Sequence, residues 1–199
     1  MADHAQSPID IHGVKAKKLT PLAFHYKPAA SEIVNNGHTV QVNLDNAGSV
    51  GLPSGDYKLV QFHFHTPSEE AFNGKHYPLV AHLVHKNAAG ELAVVAVLFK
   101  QGKENAALKK VFAELPATVG EKHPLSAELD LMATLPKHHT YYAYEGSLTT
   151  PPCSEGVHWH VMKEPVQISK TQLSAFRKLY AMNARPVQPL HGRKVDIGG

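Results

Sequence analysis

The segment Gln61–Glu70, QFHFHTPSEE, places two histidines one residue apart in an aromatic run, followed by a turn and two acids. Alternate side chains of a β-strand point to the same face, so His63 and His65 share one face while Phe62 and Phe64 share the other. Two imidazoles at this spacing can bind one metal ion. A third imidazole from a neighbouring strand would complete three ligands with an open position, the arrangement of a catalytic zinc.

The segment LVAHLVH offers two candidates for that third ligand, His82 and His85. They lie on opposite faces of a strand, so only one of them can join His63 and His65. These residues alone do not decide which one it is. A lone H-x-H is more often a pair of surface or core histidines, and the second histidine pair shifts the balance toward a metal site.

Two further groups could act beside such a centre. Glu69 lies just past the turn, and Thr149 and Thr150 precede two prolines in GSLTTPP. Pro151 biases Thr150 toward extended backbone, so this segment is not helical. The two hydroxyls either face a site or bond to the backbone of a turn.

The elements that must position these groups are mostly strands. Segments rich in Val, Leu, Phe and Tyr are separated by scattered Gly and Pro, as is typical of a sheet protein. The main strands are expected near Thr39–Leu44, Tyr57–His65, Leu79–His85, Leu92–Phe99, Tyr141–Tyr144 and Val157–Met162. We expect Gly120–Thr140 and the carboxyl end to be loop.

Two segments have helical spacing. Lys103–Leu115 carries apolar residues at helical intervals and is followed by Pro116, a stop signal. Thr171–Ala181 has one apolar face, with Ser169 and Gln172 spaced as a capping box. We therefore expect two short helices beside the sheet.

Composition narrows the class of protein. The 199 residues, 43% of them hydrophobic, suffice for one domain with a sizeable core. Lys and Arg number 20 against 17 Asp and Glu, without long blocks of one charge, so we expect neither nucleic acid nor a membrane as partner.

The stretch MADHAQSPID lacks a basic segment followed by an apolar one, so we expect no signal peptide in this chain. Cys153 is the single cysteine, which excludes an intrachain disulfide.

Together these motifs resemble the alpha class of carbonic anhydrases, especially its bacterial members. QSPIDI, NNGH, QFHFH, HLVH, GSLTTPPC and RPVQPL follow in family order and span the chain from Gln6 to Val195. The resemblance implies a mainly β (α+β) single domain over residues 1–199. It also implies a central, twisted, mostly antiparallel sheet of about ten strands with short peripheral helices, and zinc at the foot of a cone-shaped cleft.

The resemblance assigns the metal ligands and their supports. His63, His65 and His82 are the expected zinc ligands, and Gln61 and Asn183 are expected to orient the first two. The expected catalytic residues are the gatekeeper Thr149, its partner Glu69 and the proton-shuttle histidine His38. The expected substrate-binding residues are Val84, Val94, Leu148, Thr150, Val157 and Trp159. Polar cleft positions are Asn36 and Gln41.

The implied activity is the reversible hydration of carbon dioxide to bicarbonate and a proton, through attack by zinc-bound hydroxide. His38 would pass the proton to solvent, since histidine titrates nearest to neutral pH. Sulfonamide and anion inhibitors and a periplasmic or secreted location are implied as well, with the cytoplasm and a homodimer left open. The alternative is a catalytically weak or inactive relative that serves as a binding or storage protein.

The chain departs from the family pattern at three places. Val80 stands where a glutamate usually lies two residues before His82, which predicts weaker zinc retention unless another acceptor takes the His82 proton. Glu70 stands where relatives usually have a histidine. The aromatic amino-terminal segment of the family is absent, and with it the usual partner of Cys153, which we expect to be free.

Overall fold

The structure is a computed structural model that describes residues 4–199. Residues 1–3, on which the expectation of no signal peptide partly rests, lie outside the described residues. The strands are β1 (Asp10–Ile11), β2 (Lys15–Ala16), β3 (Ala23–Tyr26), β4 (Ser31–Asn35), β5 (Val40–Leu44), β6 (Gly48–Leu52), β7 (Gly55–His65), β8 (Ala71–Phe72), β9 (Lys75–His76), β10 (Leu79–Lys86), β11 (Leu92–Gln101), β12 (Lys122–Pro124), β13 (Tyr141–Ser147), β14 (Glu155–Met162), β15 (Val166–Ile168) and β16 (Asp196–Gly198). The helices are α1 (Lys109–Ala113) and α2 (Lys170–Leu179), with a 3-10 turn at Leu131–Thr134.

A 13-stranded sheet dominates the molecule. Its longest path runs β12-β4-β5-β7-β10-β11-β14-β13-β16-β2, with β3, β6 and β15 paired beside it. Most neighbours are antiparallel, but β11 pairs parallel with both β14 and β15, and β16 pairs parallel with β2. A second sheet of three strands, β1-β8-β9, lies apart from it. The expectation of a mainly β fold with a large, mostly antiparallel sheet is confirmed.

The central strands β10 and β11 are buried along most of their length. This explains why their sequences are nearly continuous apolar runs and not alternating ones. One face of the sheet packs Phe62, Phe64 and Leu83 into the larger apolar cluster. The other face packs Val84 and Trp159 into a smaller cluster. The expected ligand histidines share this second face.

The helices differ from the prediction in length. Ser169 caps α2 and Gln172 completes the capping box, as expected. The helix predicted over Lys103–Leu115 is reduced to α1, because Gln172 binds both backbone groups of Asn105 and Asn105 Oδ1 accepts from the N–H of Leu108. The predicted loop over Gly120–Thr140 contains β12 and the 3-10 turn, which the sequence did not indicate.

None of the helices in residues 4–199 is long and apolar enough to cross a bilayer.

Candidate metal centre

Two adjacent strands bring three histidines together. His82 of β10 lies opposite His63 of β7, and His65 lies two residues further along β7. One ring nitrogen from each lies within 4.8 Å of the other two. His85 faces the opposite side of the sheet, where its Nε2 lies 2.5 Å from Tyr26 Oη. The structure therefore groups His82, and not His85, with the histidine pair.

Each of these three rings has an oxygen acceptor on the side away from the cluster. The nitrogen–oxygen distances are 2.8 Å from His63 Nδ1 to Gln61 Oε1, 3.0 Å from His65 Nδ1 to the Asn183 carbonyl, and 2.8 Å from His82 Nε2 to Glu70 Oε2. An oxygen acceptor holds the proton on the nitrogen that faces it, so the other ring nitrogen keeps its lone pair. Three lone pairs thus point to one place.

The histidines fit a metal ion by charge as well as by position. Burial lowers the pKa of His63 to about 3 and the pKa of His65 well below its usual value, so both are neutral, the form that binds metals. Burial also lowers the pKa of His82, but the charge and hydrogen bond of Glu70 and the charge of Glu69 outweigh it and raise the pKa. The Nε2 atom of His65 is buried without a hydrogen-bond partner in the described part of the chain. Three imidazole nitrogens grouped in this way, one of them buried without a hydrogen-bond partner, suit zinc.

Glu69 lies beneath the cluster and is fully buried. Its Oε2 accepts a hydrogen bond from the backbone N–H of Arg185 at 2.8 Å, and its Oε1 lies 3.2 Å from His65 Nε2. Burial raises the pKa of Glu69 to about 7, with the charge of His82 acting against it and that of Glu70 reinforcing it; the Thr149 hydroxyl and the Arg185 N–H lower it. The carboxylate thus connects the histidines to the threonine expected beside them.

A cleft of about 320 Å³ opens above the histidines. The residues that line it are Asn36, His38, Thr39, Gln41, Gln61, His63, His82, Val84, Val94, Leu148, Thr149, Thr150, Pro151 and Trp159. The lining combines apolar side chains of β10, β11 and β14 with polar side chains of β5 and β7. Val157, expected in the apolar wall, is buried in the adjoining cluster and does not line the cleft.

Residues near the carboxyl end complete the site. The side-chain oxygen of Asn183 accepts from the Thr66 N–H, and its amide nitrogen donates to the carbonyls of Phe64 and His38. Asn183 therefore joins the end of β7 to the loop that carries His38, in addition to holding His65 through its backbone. Sequence reasoning identified Asn183 but missed the backbone N–H of Arg185, since no side-chain pattern marks a backbone donor.

Comparisons with known proteins agree with this geometry. The family model described as eukaryotic-type carbonic anhydrase matches residues 1–198. A carbonic anhydrase of Klebsiella pneumoniae is 46% identical over 193 residues, which cover 96% of this chain and 78% of that protein. The alpha-carbonic anhydrase of Thermovibrio ammonificans, solved with sulfanilamide, is 48% identical with a TM-score of 0.95, over 97% of this chain and 87% of that one. A Chlamydomonas reinhardtii carbonic anhydrase in complex with acetazolamide is 35% identical with a TM-score of 0.90, over 98% and 90%.

The mainly β fold with a buried three-histidine centre thus defines a class of enzyme. The chain belongs to the eukaryotic-type, or alpha, carbonic anhydrase family and is an enzyme for the hydration of carbon dioxide.

Proposed function

We propose that this chain hydrates carbon dioxide reversibly with a zinc ion held by His63, His65 and His82. The observation that carries the proposal is the buried Nε2 of His65, which has no hydrogen-bond partner among the described residues and belongs to a cluster of three histidines whose ligand nitrogens lie within 4.8 Å of one another. A buried polar atom without a partner costs about 1–3 kcal/mol, and a metal ion would remove that cost. Bound zinc would supply a water ligand with its pKa lowered to about 7, as is established for carbonic anhydrases.

Glu69 and Thr149 orient the reacting groups. The Arg185 N–H holds Glu69 from below, and a hydroxyl of Thr149 that donates to this carboxylate turns its lone pairs into the cleft. Thr149 then accepts a hydrogen bond from an O–H donor and repels an atom that can only accept. The threonine thus favours an attacking group that carries an O–H, and it fixes the direction in which the lone pair of that group faces the substrate.

The apolar wall suits an uncharged substrate. Trp159 donates its ring N–H to the Ser147 carbonyl at 3.0 Å, so its one polar atom is already paired. Val84 and Val94 lie beside it in the cleft lining. Carbon dioxide can rest on such a wall without displacing a hydrogen-bonded group, whereas charged bicarbonate gains nothing from it and is released readily.

His38 moves the proton out. It lines the cleft, its side chain is exposed, and its backbone is fixed by Asn36 Oδ1 at its N–H and by the Asn183 amide at its carbonyl. In the variant His38→Ala we expect slower turnover in weak buffer and recovery when imidazole is added, because free imidazole can carry the same proton. Turnover that is unchanged in weak buffer would remove His38 from the mechanism.

The proposal is tested by zinc content and stopped-flow hydration of carbon dioxide. We expect activity to vanish when a chelator removes zinc and to return when zinc is restored. His65→Ala should lose both zinc and activity, whereas His25→Ala, at an exposed histidine of β3, should lose neither. Wild-type activity in zinc-free protein, or in His65→Ala, would refute the zinc mechanism.

Two further proposals follow from the relatives. Primary sulfonamides should inhibit this enzyme, because solved relatives carry sulfanilamide or acetazolamide. Competition between acetazolamide and substrate in the hydration assay tests this. We also propose, by family resemblance alone, a periplasmic or secreted location, which fractionation of the source cells tests.

A further inference from the structure

Glu70 is a second fully buried carboxylate at the metal centre. Its Oε2 lies 2.8 Å from His82 Nε2, on the side of the ring that faces away from the other two histidines. The backbone of Glu70 is fixed locally, because its carbonyl accepts from Ser68 Oγ at 2.7 Å and the next residue, Ala71, donates to Ile9. The small β1-β8-β9 sheet thus fixes the backbone next to Glu70, and the carboxylate reaches the central strand β10.

The strand that carries His82 offers no acceptor of its own at the neighbouring position. Val80 is two residues before His82, so the two side chains share a face of β10. Val80 is fully buried and packs in the smaller apolar cluster with Val84. In the described structure the polar contact of the outer ring nitrogen of His82 therefore comes from Glu70.

We propose that Glu70 is the positioning residue for His82. It takes the place of the acceptor that position 80, a valine here, does not provide. A carboxylate that accepts the Nε2 proton holds the ring in the tautomer that leaves Nδ1 free for the metal, and it makes the imidazole a better donor. A charged acceptor is also roughly twice as strong as a neutral one. The inference rests on the proposed zinc centre. It removes the reason to expect weak zinc retention from Val80, because the acceptor is present on another element.

If Glu70 supplies the acceptor that Val80 does not, the effects of substitutions at positions 70 and 80 on zinc affinity should depend on each other. In the native protein, Val80→Glu would bring a second carboxylate next to Glu70, where like charges repel in a buried site. With Glu70→His in place, the same substitution would instead supply the missing acceptor. The effect of Val80→Glu on zinc affinity should therefore change sign with the residue at position 70.

The experiment measures zinc affinity by chelator competition for the native protein, Glu70→Ala, Glu70→His, Val80→Glu and Glu70→His/Val80→Glu. Glu70→Ala and Glu70→His should each lose ~10–100-fold in affinity, the usual cost of losing such a partner. Val80→Glu should lower affinity in the native protein and raise it in Glu70→His. The visible spectrum of the cobalt-substituted proteins should change in Glu70→Ala and return toward the native form in the double variant.

Urea unfolding of the zinc-free proteins separates folding from metal geometry. Should Glu70→Ala not fold, the pair Glu70→His and Glu70→His/Val80→Glu decides the question, since the two differ only at position 80. Native affinity and an unchanged cobalt spectrum in folded Glu70→Ala or Glu70→His overturn the inference alone, as does an equal effect of Val80→Glu in both backgrounds. A native protein that binds no zinc overturns the inference and the proposed function together.

Discussion

His82 and His85 stand three residues apart on β10, and at most 1% of the surface of either residue is exposed. His82 meets carboxylates, with Glu70 at 2.8 Å and Glu69 at 3.8 Å. His85 meets neutral groups, since its Nδ1 donates to the Ala93 carbonyl at 3.1 Å and its Nε2 accepts from the Tyr26 hydroxyl. The pKa of His82 is raised, whereas burial lowers the pKa of His85 to about 3.

The two histidines differ in how many of their ring nitrogens are already paired with protein groups. Both nitrogens of His85 are paired by protein groups, so this residue can only support the fold. One nitrogen of His82 is paired by Glu70, and the other remains free beside two more histidines. A buried histidine thus becomes a metal ligand when the protein satisfies one side of its ring and leaves the other side open.

The largest expected effect is a reciprocal loss in two variants. His82→Ala should lose zinc and fall to background activity, well beyond the ~10–100-fold cost of losing an outer partner. His85→Phe should keep zinc and activity but unfold at lower urea concentration, because it leaves the Tyr26 hydroxyl buried without a partner. Metal analysis, hydration assays and urea unfolding of both proteins check this. Loss of zinc in His85→Phe would break the distinction between the two histidines.

The next effect concerns Glu69, the second carboxylate near His82. Thr149→Ala should keep zinc yet lose roughly 100-fold in rate, because the reacting group is no longer held in one orientation. Thr149→Ser retains the hydroxyl and should recover most of the rate. Equal rates in Thr149→Ala and the native enzyme would show that Glu69 does not act through the threonine.

A smaller effect is expected on the supporting side. Tyr26→Phe removes the hydroxyl that His85 Nε2 accepts from and should lower the free energy of unfolding by about 1–3 kcal/mol. Zinc affinity should stay the same. Tyr142→Phe is the matched control, since the described structure shows no hydrogen bond to its hydroxyl. Similar losses in the two variants would contradict a specific role for the Tyr26–His85 pair.

The smallest effect lies at the surface, where His158 also meets two carboxylates. Partial burial lowers its pKa, but Glu145 at 2.7 Å and Glu91 at 3.6 Å outweigh this and raise it. A raised pKa stabilises the fold below the unfolded value near ~6.5, and this contribution disappears as the pH rises through the folded value. His158→Gln should therefore cost more stability at pH ~5.5 than at pH ~8.5, by at most about 1 kcal/mol. An equal cost at the two pH values would mean that the ion pairs contribute nothing.

Local features of the site could be predicted because strand alternation needs no knowledge of the fold. QFHFH places His63 and His65 on one face wherever the strand lies. The choice between His82 and His85 required the register of β7 against β10, which brings His82 opposite His63. Alternation across all of Tyr57–His65 would have failed, because Val60 is an extra residue in β7 and lets Leu59 share the core face with Phe62.

The remaining features depend on contacts that no local pattern encodes. The Asn183 carbonyl and the Arg185 N–H are backbone groups, whose identity any residue type could provide. In the sequence Glu70 differs from the family pattern without indicating a partner, whereas the structure places its carboxylate 2.8 Å from His82 Nε2. The overlong helix at Lys103–Leu115 has the same cause, since Gln172, far along the chain, occupies the backbone of Asn105.

The hydrogen bonds that join His65 to Asn183 and Glu69 to Arg185 also set the order in which the site can be assembled. The acceptor for His65 lies 118 positions further along the chain, and the donor for Glu69 lies 116 positions beyond it. At ~5–20 residues per second, a ribosome needs on the order of ten seconds to synthesise that stretch. All three histidines are therefore synthesised well before the Asn183 carbonyl that pairs with His65 and the Arg185 N–H that binds Glu69. The proposed zinc centre therefore cannot acquire all of these hydrogen bonds before residues 183–185 have been synthesised.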